Sequence, residues 1–585
     1  MNSFTSLRAL RIGLFFLAVL PMSASLGNDF VLWDDPAYIT ENKFIQSFSF
    51  ENLQRFALEL HMGNWHPLTW FSHAVDVAVF GLNPMGHHLT NLLLHGLNAI
   101  LVFIVFQLLW RSAKGEDLSL SETLACFSAS LLFAIHPLRV ESVVWASERK
   151  DVLCALFSLL CYGLYLSYAQ EENRRARQQY YWASWGCLAL ALMSKPMAAT
   201  APLVLLLWDV YPLNRWNRVD ARRLIVEKIP FIALIAGATV LALVAQKGAG
   251  AMLSVERLGW DERIMNAVHS GFFYLQKTLV PLGLSALYPF AEERVFWSAW
   301  FLGPALFFIL LVGGGVWLWR GTLRSPALLA VVLYYAITLA PVAGVIQVGT
   351  QAAADRYTYL PTLGFYLLAA WLAWRGIESI SEKHRRWVCL LALVTLYTVL
   401  AALTHRQTLV WADTASLWQN TARLYPDNLG RVHFTLAKIH DDAGRWREAE
   451  QGFLNAIRID PKDIPARNRL GLLYSKLKRW EEAEAAFRSV LAIRVDAKTL
   501  NNLGLLYLQK GDFQAAEDRY KEALQAEPGM MEARANLGYL YMKQGKLDSA
   551  EEQLRLALQA DPENAGIQRL WKLLQIDKAD PLPNP

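Results

Sequence analysis

The chain has 585 residues, 54% of them hydrophobic and 18% charged, and a formal net charge of +5. That length exceeds a single domain, and so small a charge excludes a nucleic-acid surface as its organising feature. The five cysteines, Cys126, Cys154, Cys161, Cys187 and Cys389, lie in or beside apolar segments without zinc-site spacing, which also excludes a disulfide framework. Composition shifts near residue 404: long apolar runs separated by short basic loops give way to a repetitive stretch rich in Ala, Leu, Glu, Lys and Arg.

Arg8 and Arg11 precede the apolar run Ile12 to Leu20, and Ser23-Ala24-Ser25 follows. The pattern fits either a cleavable signal or an uncleaved first span continuing to about Val31, and the apolar Phe30 to Trp33 favours the anchor. Two carboxylates, Asp34 and Asp35, then stand where hydrocarbon gives way to water. An acid at that boundary is an end marker or a working group.

Residues 34–85 form a long non-spanning loop, a length that points to function. Its aromatics beside polar tips predict one or two helices on the membrane surface, carrying His66, His73 and Asp76 toward the first acids. His87-His88 opens the next span, about 88–110, and reads as interfacial. Further spans are expected at about 121–136, before Glu171, before Lys195, before Trp208, and at about 230–246, 297–319, 326–345, 358–375 and 387–404. The stretch 266–284, with His269, Gln276, Lys277 and Pro281, reads as an interfacial or re-entrant segment. Arg111 and Lys114, the stretch 171–177, Arg215 to Lys228 and Arg375 to Arg386 place alternate loops on the inner side.

The tally is about eleven spans, and an odd number sends the C-terminal part to the outer face. The same parity gathers Asp34, Asp35, His66, Asp76, His136, Arg139, Glu141, Arg149, Lys150, Asp151, Lys195 and Arg356 on that face. Carboxylates there can accept a proton from a hydroxyl. Arg and Lys can grip a phosphate. Such a pairing suits group transfer from a lipid-linked phosphate, and no P-loop, GxSxG or HExxH pattern competes. Asp, Glu and His in one loop leave a divalent ion open, but no ligand spacing specifies a metal.

From Asp413 a helical repeat takes over. Trp446, Trp480, Phe513 and Leu547 recur at about 34 residues, the tetratricopeptide period. Ala449, Ala483, Ala516 and Ala550 keep the same beat, as do Gly471, Gly504 and Gly538, while Pro461, Pro528 and Pro562 close helix pairs. Each pair buries its apolar face only against a neighbour, so about four repeats build a small superhelix suited to an extended peptide.

The motifs Asp34-Asp35-Pro36-Ala37-Tyr38, Asn64-Trp65-His66-Pro67-Leu68-Thr69-Trp70, Gly86 to His95, His136-Pro137 through Asp151, Ser194-Lys195-Pro196 and Asp355-Arg356-Tyr357 occur in one order along nearly the whole chain. In that order they resemble the GT-C-type membrane glycosyltransferases with C-terminal repeats. These comprise the transmembrane-and-TPR O-mannosyltransferases and a bacterial group of similar layout. The resemblance implies an acid in the first outer loop as base, a polyprenyl-phosphate sugar as donor and inversion at the anomeric carbon. In the eukaryotic relatives the sugar is mannose and the acceptor a protein hydroxyl. Lys150 between Arg149 and Asp151, and Leu138-Arg139 after His136-Pro137, depart from the family pattern.

The expected architecture is therefore all-α: a GT-C-like transmembrane bundle over 1–404, a linker and degenerate half repeat over 405–430, a TPR solenoid over 431–570 and a tail over 571–585. The expected activity is sugar transfer to a hydroxyl, Ser or Thr of a protein, on the outer face of a bacterial cytoplasmic membrane. Asp34 or Asp35 is the base, with Asp34 the first choice. Arg149, Arg356, Lys195 and Arg139 hold the donor phosphate. His66, Asp76, His136, Glu141 and Asp151 orient sugar or acceptor. The expected partners are membrane lipid, the lipid-linked sugar and an acceptor chain held by the repeats. The rival reading is a non-catalytic membrane-anchored TPR scaffold for envelope proteins, which would have no use for so many outer-loop charges. A transporter, calling for ionisable groups within the spans, ranks below both.

Overall fold

The structure, a computed structural model, describes residues 3–248, 259–290, 295–320, 326–345 and 351–579. Of the loop expected at 347–357, residues 347–350 lie outside them. Among the described residues regular structure is helical, apart from two isolated β-bridges. The chain forms two compact units, Met1–Leu424 and Tyr425–Pro585.

The first unit contains α1 (Ser3–Val19), α2 (Phe50–Leu58), α3 (Pro67–Phe80), α4 (Pro84–Lys114), α5 (Leu120–Ala134), α6 (Val140–Val144), α7 (Arg149–Gln170), α8 (Arg174–Ser194) and α9 (Ala201–Val210). It continues through α10 (Ala221–Val226), α11 (Ile229–Gly248), α12 (Trp260–Leu279), α13 (Ala299–Arg320), α14 (Ala327–Leu339), α15 (Leu363–Ser379), α16 (Lys383–Val410) and α17 (Thr414–Leu424). Helices stand at each segment read as a span. Leu7–Gly27, Pro84–Lys114, Ala146–Gln170, Ala221–Gly248, Ala299–Arg320 and Lys383–Val410 are long and apolar enough to cross a membrane. A seventh follows if Leu120–Ala134 and Pro137–Val144, bent by 56°, count together. The protein is a multi-pass membrane protein. The stretch read as re-entrant falls largely on the continuous helix α12.

The first span ends earlier than its apolar run suggested. Helical turns stop at Gly27, and Asn28 to Leu32 run outside any helix. The Asn28 amide donates to the carbonyls of Thr408 and Trp411 (3.4 and 2.9 Å), and the Asp29 N–H donates to Ala412 (2.8 Å). Backbone groups at the end of α16 thus capture this segment. A tryptophan column completes the anchor: Trp33 stacks on Trp145 at 4.8 Å, Trp145 lies 5.3 Å from Trp411, and Trp33 lies 5.1 Å from Trp418. The loop after residue 33 therefore starts from a fixed point.

Inside α4, one face carries polar side chains that tie the bundle together. Asn91 donates to the Trp145 carbonyl, His95 bridges the Ala134 carbonyl and the Tyr359 hydroxyl, and Asn98 donates to the Val152 carbonyl. Polar side chains spaced along a spanning helix act as such glue. At Gly96 a Cβ would come within 2.5 Å of the Phe15 ring, so glycine is what lets α1 approach α4. A second buried network joins Asp209, Tyr165, Arg215, Glu227 and Lys228, every charge in it paired.

The second unit is a helical-repeat array: α18 (Gly430–Asp442) with α19 (Trp446–Ile459), α20 (Ile464–Lys476) with α21 (Trp480–Leu491), α22 (Ala497–Lys510) with α23 (Phe513–Ala526), α24 (Met531–Lys543) with α25 (Leu547–Ala560), and a last helix, α26 (Ala565–Ala579). One bond recurs from repeat to repeat: Tyr474, Tyr507 and Tyr541 donate to Glu450, Glu484 and Glu517 of the preceding pair at 2.9, 2.9 and 3.0 Å. The recurring glycines mark close helix crossings within pairs. A Cβ on Gly504 would meet the Tyr520 ring at 2.7 Å, and one on Gly471 would meet Phe487 at 2.6 Å.

That overlap outweighs the roughly 1 kcal/mol by which alanine favours a helix over glycine. Gly504→Ala is expected to destabilise the array by about 1–3 kcal/mol. Hydrogen exchange on the full chain should show lost protection in α22 and α23, with protection in α4 and α7 unchanged.

Candidate functional site

Five separate stretches of the first unit bring one cluster together. The bend between α6 and α7 supplies Glu148, Lys150 and Asp151, and α6 supplies Glu141. Lys195 follows the last residue of α8, Arg356 sits in a 3-10 turn over Asp355–Thr358, and Asp34 follows the anchored Trp33. Glu148 is the hub. Its carboxylate lies 3.0 Å from Lys150 Nζ, 3.3 Å from Lys195 Nζ and 3.5 Å from Arg356 Nε. Each cation has a second acid: Asp34 for Lys150 (3.9 Å), Asp151 for Lys195 (2.5 Å) and Glu141 for Arg356. Tyr38 lies under Lys150 at 4.4 Å, and Trp145 and Tyr357 lie 5.6 and 5.0 Å from the Arg356 guanidinium. Burial works against the Lys195 charge, but Asp151 and Glu148 hold its ammonium above the usual range.

The two leading acids differ in what they can do. Asp34 keeps a third of its side chain exposed and touches Lys150 from the rim. Asp35 is 1% exposed and accepts the Val31 and Ser147 backbone N–H groups at 2.8 and 3.0 Å. Burial pushes the Asp35 carboxyl up to about 6, against those two hydrogen bonds. Asp34 thus faces the open side of the cluster, while Asp35 fastens the first loop to the α6–α7 bend.

Arg149 is elsewhere. Successive residues of a helix point about 100° apart, so Arg149 and Lys150 serve different neighbours. Arg149 is fully buried. It donates to Asn91, to Ser72 (2.8 Å), to Asp76 (2.6 Å) and to the His87 carbonyl (2.8 Å). With its donors engaged by protein, it ties α7 to α3 and α4. Asp76, read from sequence as facing the first acids, is its partner, and its other oxygen accepts from Thr90. His73 and His87-His88 are buried as well rather than interfacial, because the corner between α3 and α4 folds them inward.

Arg139 and His136 make a third group. Arg139 is fully buried, and its Nη2 donates to Thr358, Thr362 and Tyr366. His136 Nδ1 accepts the Leu138 N–H while Nε2 donates to the Thr278 carbonyl at 3.0 Å. The ring is thus neutral with both nitrogens engaged. His66, at the N-cap of α3, is buried and held neutral by burial and by the nearby Lys150 and Lys195 charges, which puts it beside the main cluster.

Of the residues singled out from sequence, Asp34, Glu141, Asp151, Lys195 and Arg356 share the cluster, His66 borders it, and Asp35 underlies it. Arg149 with Asp76, and Arg139 with His136, form two separate buried groups. Sequence reading passed over the hub, Glu148, and left Lys150 without a role. The available signal was the density of charge in Glu148-Arg149-Lys150-Asp151. Its helical phase, which assigns each charge to a side, is set by the bend before Arg149.

Two predictions follow from this division. Removing one member of a buried ion network leaves the others unpaired, at about 3–5 kcal/mol. Glu148→Ala should therefore lower the thermal unfolding temperature sharply, while Asp34→Asn, at the rim, should change stability by less than about 1 kcal/mol. The second concerns Asp35, whose folded carboxyl titrates near 6 against 3.8 for the free group. A raised acid is better protonated in the folded chain, so this group favours folding below about pH 4 and loses that contribution as pH rises through 6. The wild-type chain should gain roughly 2–3 kcal/mol over Asp35→Asn between pH 6.5 and 4, read from unfolding temperatures in detergent.

Comparison with known proteins adds a family context. Tetratricopeptide-repeat models match residues 464–526 and 507–574. The chain is 25% identical to "Protein O-mannosyl-transferase F38B6.6" of Caenorhabditis elegans over 460 residues, covering 76% of this chain and 62% of that protein. Against "Protein O-mannosyl-transferase Tmtc3" of Drosophila melanogaster the identity is 23%, covering 74% and 52%. Against human "Protein O-mannosyl-transferase TMTC3" it is 23%, covering 80% and 54%. The chain thus spans between half and two thirds of the length of these curated relatives, and it resembles the transmembrane-and-TPR O-mannosyltransferases along most of its own. Among solved structures, a tetratricopeptide protein of Thermus thermophilus covers 31% of the chain at 20% identity with a TM-score of 0.26.

Proposed function

We propose that the chain is a membrane glycosyltransferase that moves a sugar, mannose by the names of its relatives, from a polyprenyl-phosphate donor to a hydroxyl of a protein Ser or Thr. The observation that carries this reading is the cluster of Lys150, Lys195 and Arg356 around buried Glu148, with Asp34 open beside it. Asp34 takes the acceptor proton as the hydroxyl oxygen attacks the anomeric carbon from the face opposite the phosphate. The bond between the anomeric carbon and the phosphate oxygen breaks, and polyprenyl phosphate leaves with one more negative charge. Fixed cations at that oxygen favour the step because they are already in place when charge develops. Glu141, Glu148 and Asp151 hold those cations in the absence of donor, and the incoming phosphate competes with the carboxylates for them.

The reading keeps Arg356 and Lys195 as phosphate ligands and adds Lys150. It gives Arg149 and Asp76 to positioning, since both are engaged with each other. The outer face of a bacterial cytoplasmic membrane is the compartment this reading favours, and the repeat array is the arm that holds the acceptor chain.

The test is transfer from a polyprenyl-phosphate sugar to a Ser/Thr peptide by the chain in proteoliposomes. Asp34→Asn should lower the rate about 10²–10⁴-fold with expression and unfolding temperature kept, as loss of a general base does. Asp35→Asn should retain far more. Full activity of Asp34→Asn would remove the proposed base.

A further inference from the structure

The corner between α3 and α4 gathers three groups that take no direct part in the proposed reaction. α3 stops at Gly81, whose φ is +64°, and α4 restarts at Pro84 behind the Asn83 cap, whose side chain accepts the Met85 N–H. This tight return sets His73 and Asp76, one turn apart on α3, against His87 in the first turns of α4. One ligand atom from each of His73, Asp76 and His87 lies within 4.8 Å of the other two. His87 Nδ1 is 3.6 Å from Asp76 Oδ2, and the two imidazole centroids are 5.7 Å apart.

The hydrogen-bond accounting is what points to a ligand. Both histidines are fully buried. Among the described residues, His73 has no hydrogen-bond partner on either ring nitrogen, and His87 has none on Nδ1. His87 Nε2 donates to the Gly81 carbonyl at 3.3 Å, which fixes the tautomer with a lone pair on Nδ1. A buried imidazole nitrogen without a partner loses its hydration with nothing in return, and three such atoms meet at this one corner. Asp76, in turn, is held through both oxygens, by Thr90 at 2.8 Å and Arg149 at 2.6 Å. Hydrogen bonds of that kind surround a carboxylate that ligates a metal, just as a carbonyl on the far nitrogen orients a ligating histidine.

We propose that His73, Asp76 and His87 bind one d-block divalent ion of the zinc type. Two imidazoles and one carboxylate form a three-ligand set for such an ion, with a fourth position for water. The charge balance selects against Mg²⁺ and Ca²⁺. These prefer several carboxylates, whereas here the single one is already shared with Arg149. The ion clips α3 to α4. Through Asp76 and Arg149 it also fixes the start of α7, where Lys150 and Asp151 enter the charge cluster. The site stands apart from the transfer reaction and does not depend on that reading.

The experiment uses the full chain purified in detergent, stripped with a chelator and titrated with Co²⁺ and Zn²⁺. The expected result is one equivalent of Co²⁺ with a visible d–d spectrum of low coordination number, displaced by Zn²⁺ and left unchanged by millimolar Mg²⁺. His73→Gln and His87→Gln should each weaken uptake at least tenfold, and His384→Ala, at an exposed histidine, should not. Asp76 is left intact because its loss would strand Arg149. Should either glutamine variant fail to fold, X-ray absorption on the Co²⁺-loaded unmodified chain decides: two imidazoles in the shell support the site, and fewer overturn it. No stoichiometric uptake by the folded unmodified chain, or uptake unaltered in both variants, would also overturn it.

Discussion

Glu148 is the group on which the charge cluster at the start of α7 depends. A buried carboxylate among three cations is stable only as part of the set, because each charge left alone in a low-dielectric interior is costly. The set draws on five separate stretches of chain: the loop after the first span, α6, the start of α7, the end of α8 and the turn at Arg356. Holding Glu148 in place therefore holds all of them. Each cation also has a second acid, so Glu148 shares all three of its partners with another carboxylate.

Around this hub the remaining buried charges are sorted by helix phase. Lys150 and Arg149 are adjacent in sequence and belong to different networks because the α7 start turns them apart. The first goes to the open cluster, the second into the corner of α3 and α4, where its donors are engaged. Asp34 and Asp35 divide in the same way. One faces the rim, and the other accepts two backbone N–H groups and so fixes the loop. In both pairs the less buried residue joins the charge cluster around Glu148 and its neighbour secures the scaffold. The tryptophan column from Trp33 through Trp145 to Trp411 gives that scaffold a fixed edge.

Much of this was legible beforehand. Apolar runs of spanning length announced the helices, since the length of a hydrocarbon crossing is a physical constant of the bilayer. The recurrence of Trp446, Trp480 and Phe513 with Gly471 and Gly504 announced the repeat array, because close helix crossings demand glycine at a fixed beat. The density of charge between His136 and Asp151, unusual beside apolar helices, marked the stretch that supplies most of the buried charge cluster. Partners were harder to assign. Arg149 and Arg139 carry the same forked cation as Arg356, and nothing local separates a guanidinium surrounded by protein acceptors from one beside an open acid. His87-His88 looked interfacial because it opens a span, yet the return at Gly81 turns both rings inward.

By itself, then, the sequence determined that the elements are helical and in what order, the position of the charged stretches, and the repeat period. These are properties of local pattern, set by hydrocarbon thickness, helix periodicity and glycine sterics. The tertiary structure alone decided which acid lies at the rim, which arginine is sealed, that Glu148 is central to the cluster, and that two histidines and an aspartate share a corner. Those outcomes depend on the direction a side chain takes after a bend, and on distant segments such as Arg356 meeting Glu148, which no local pattern encodes.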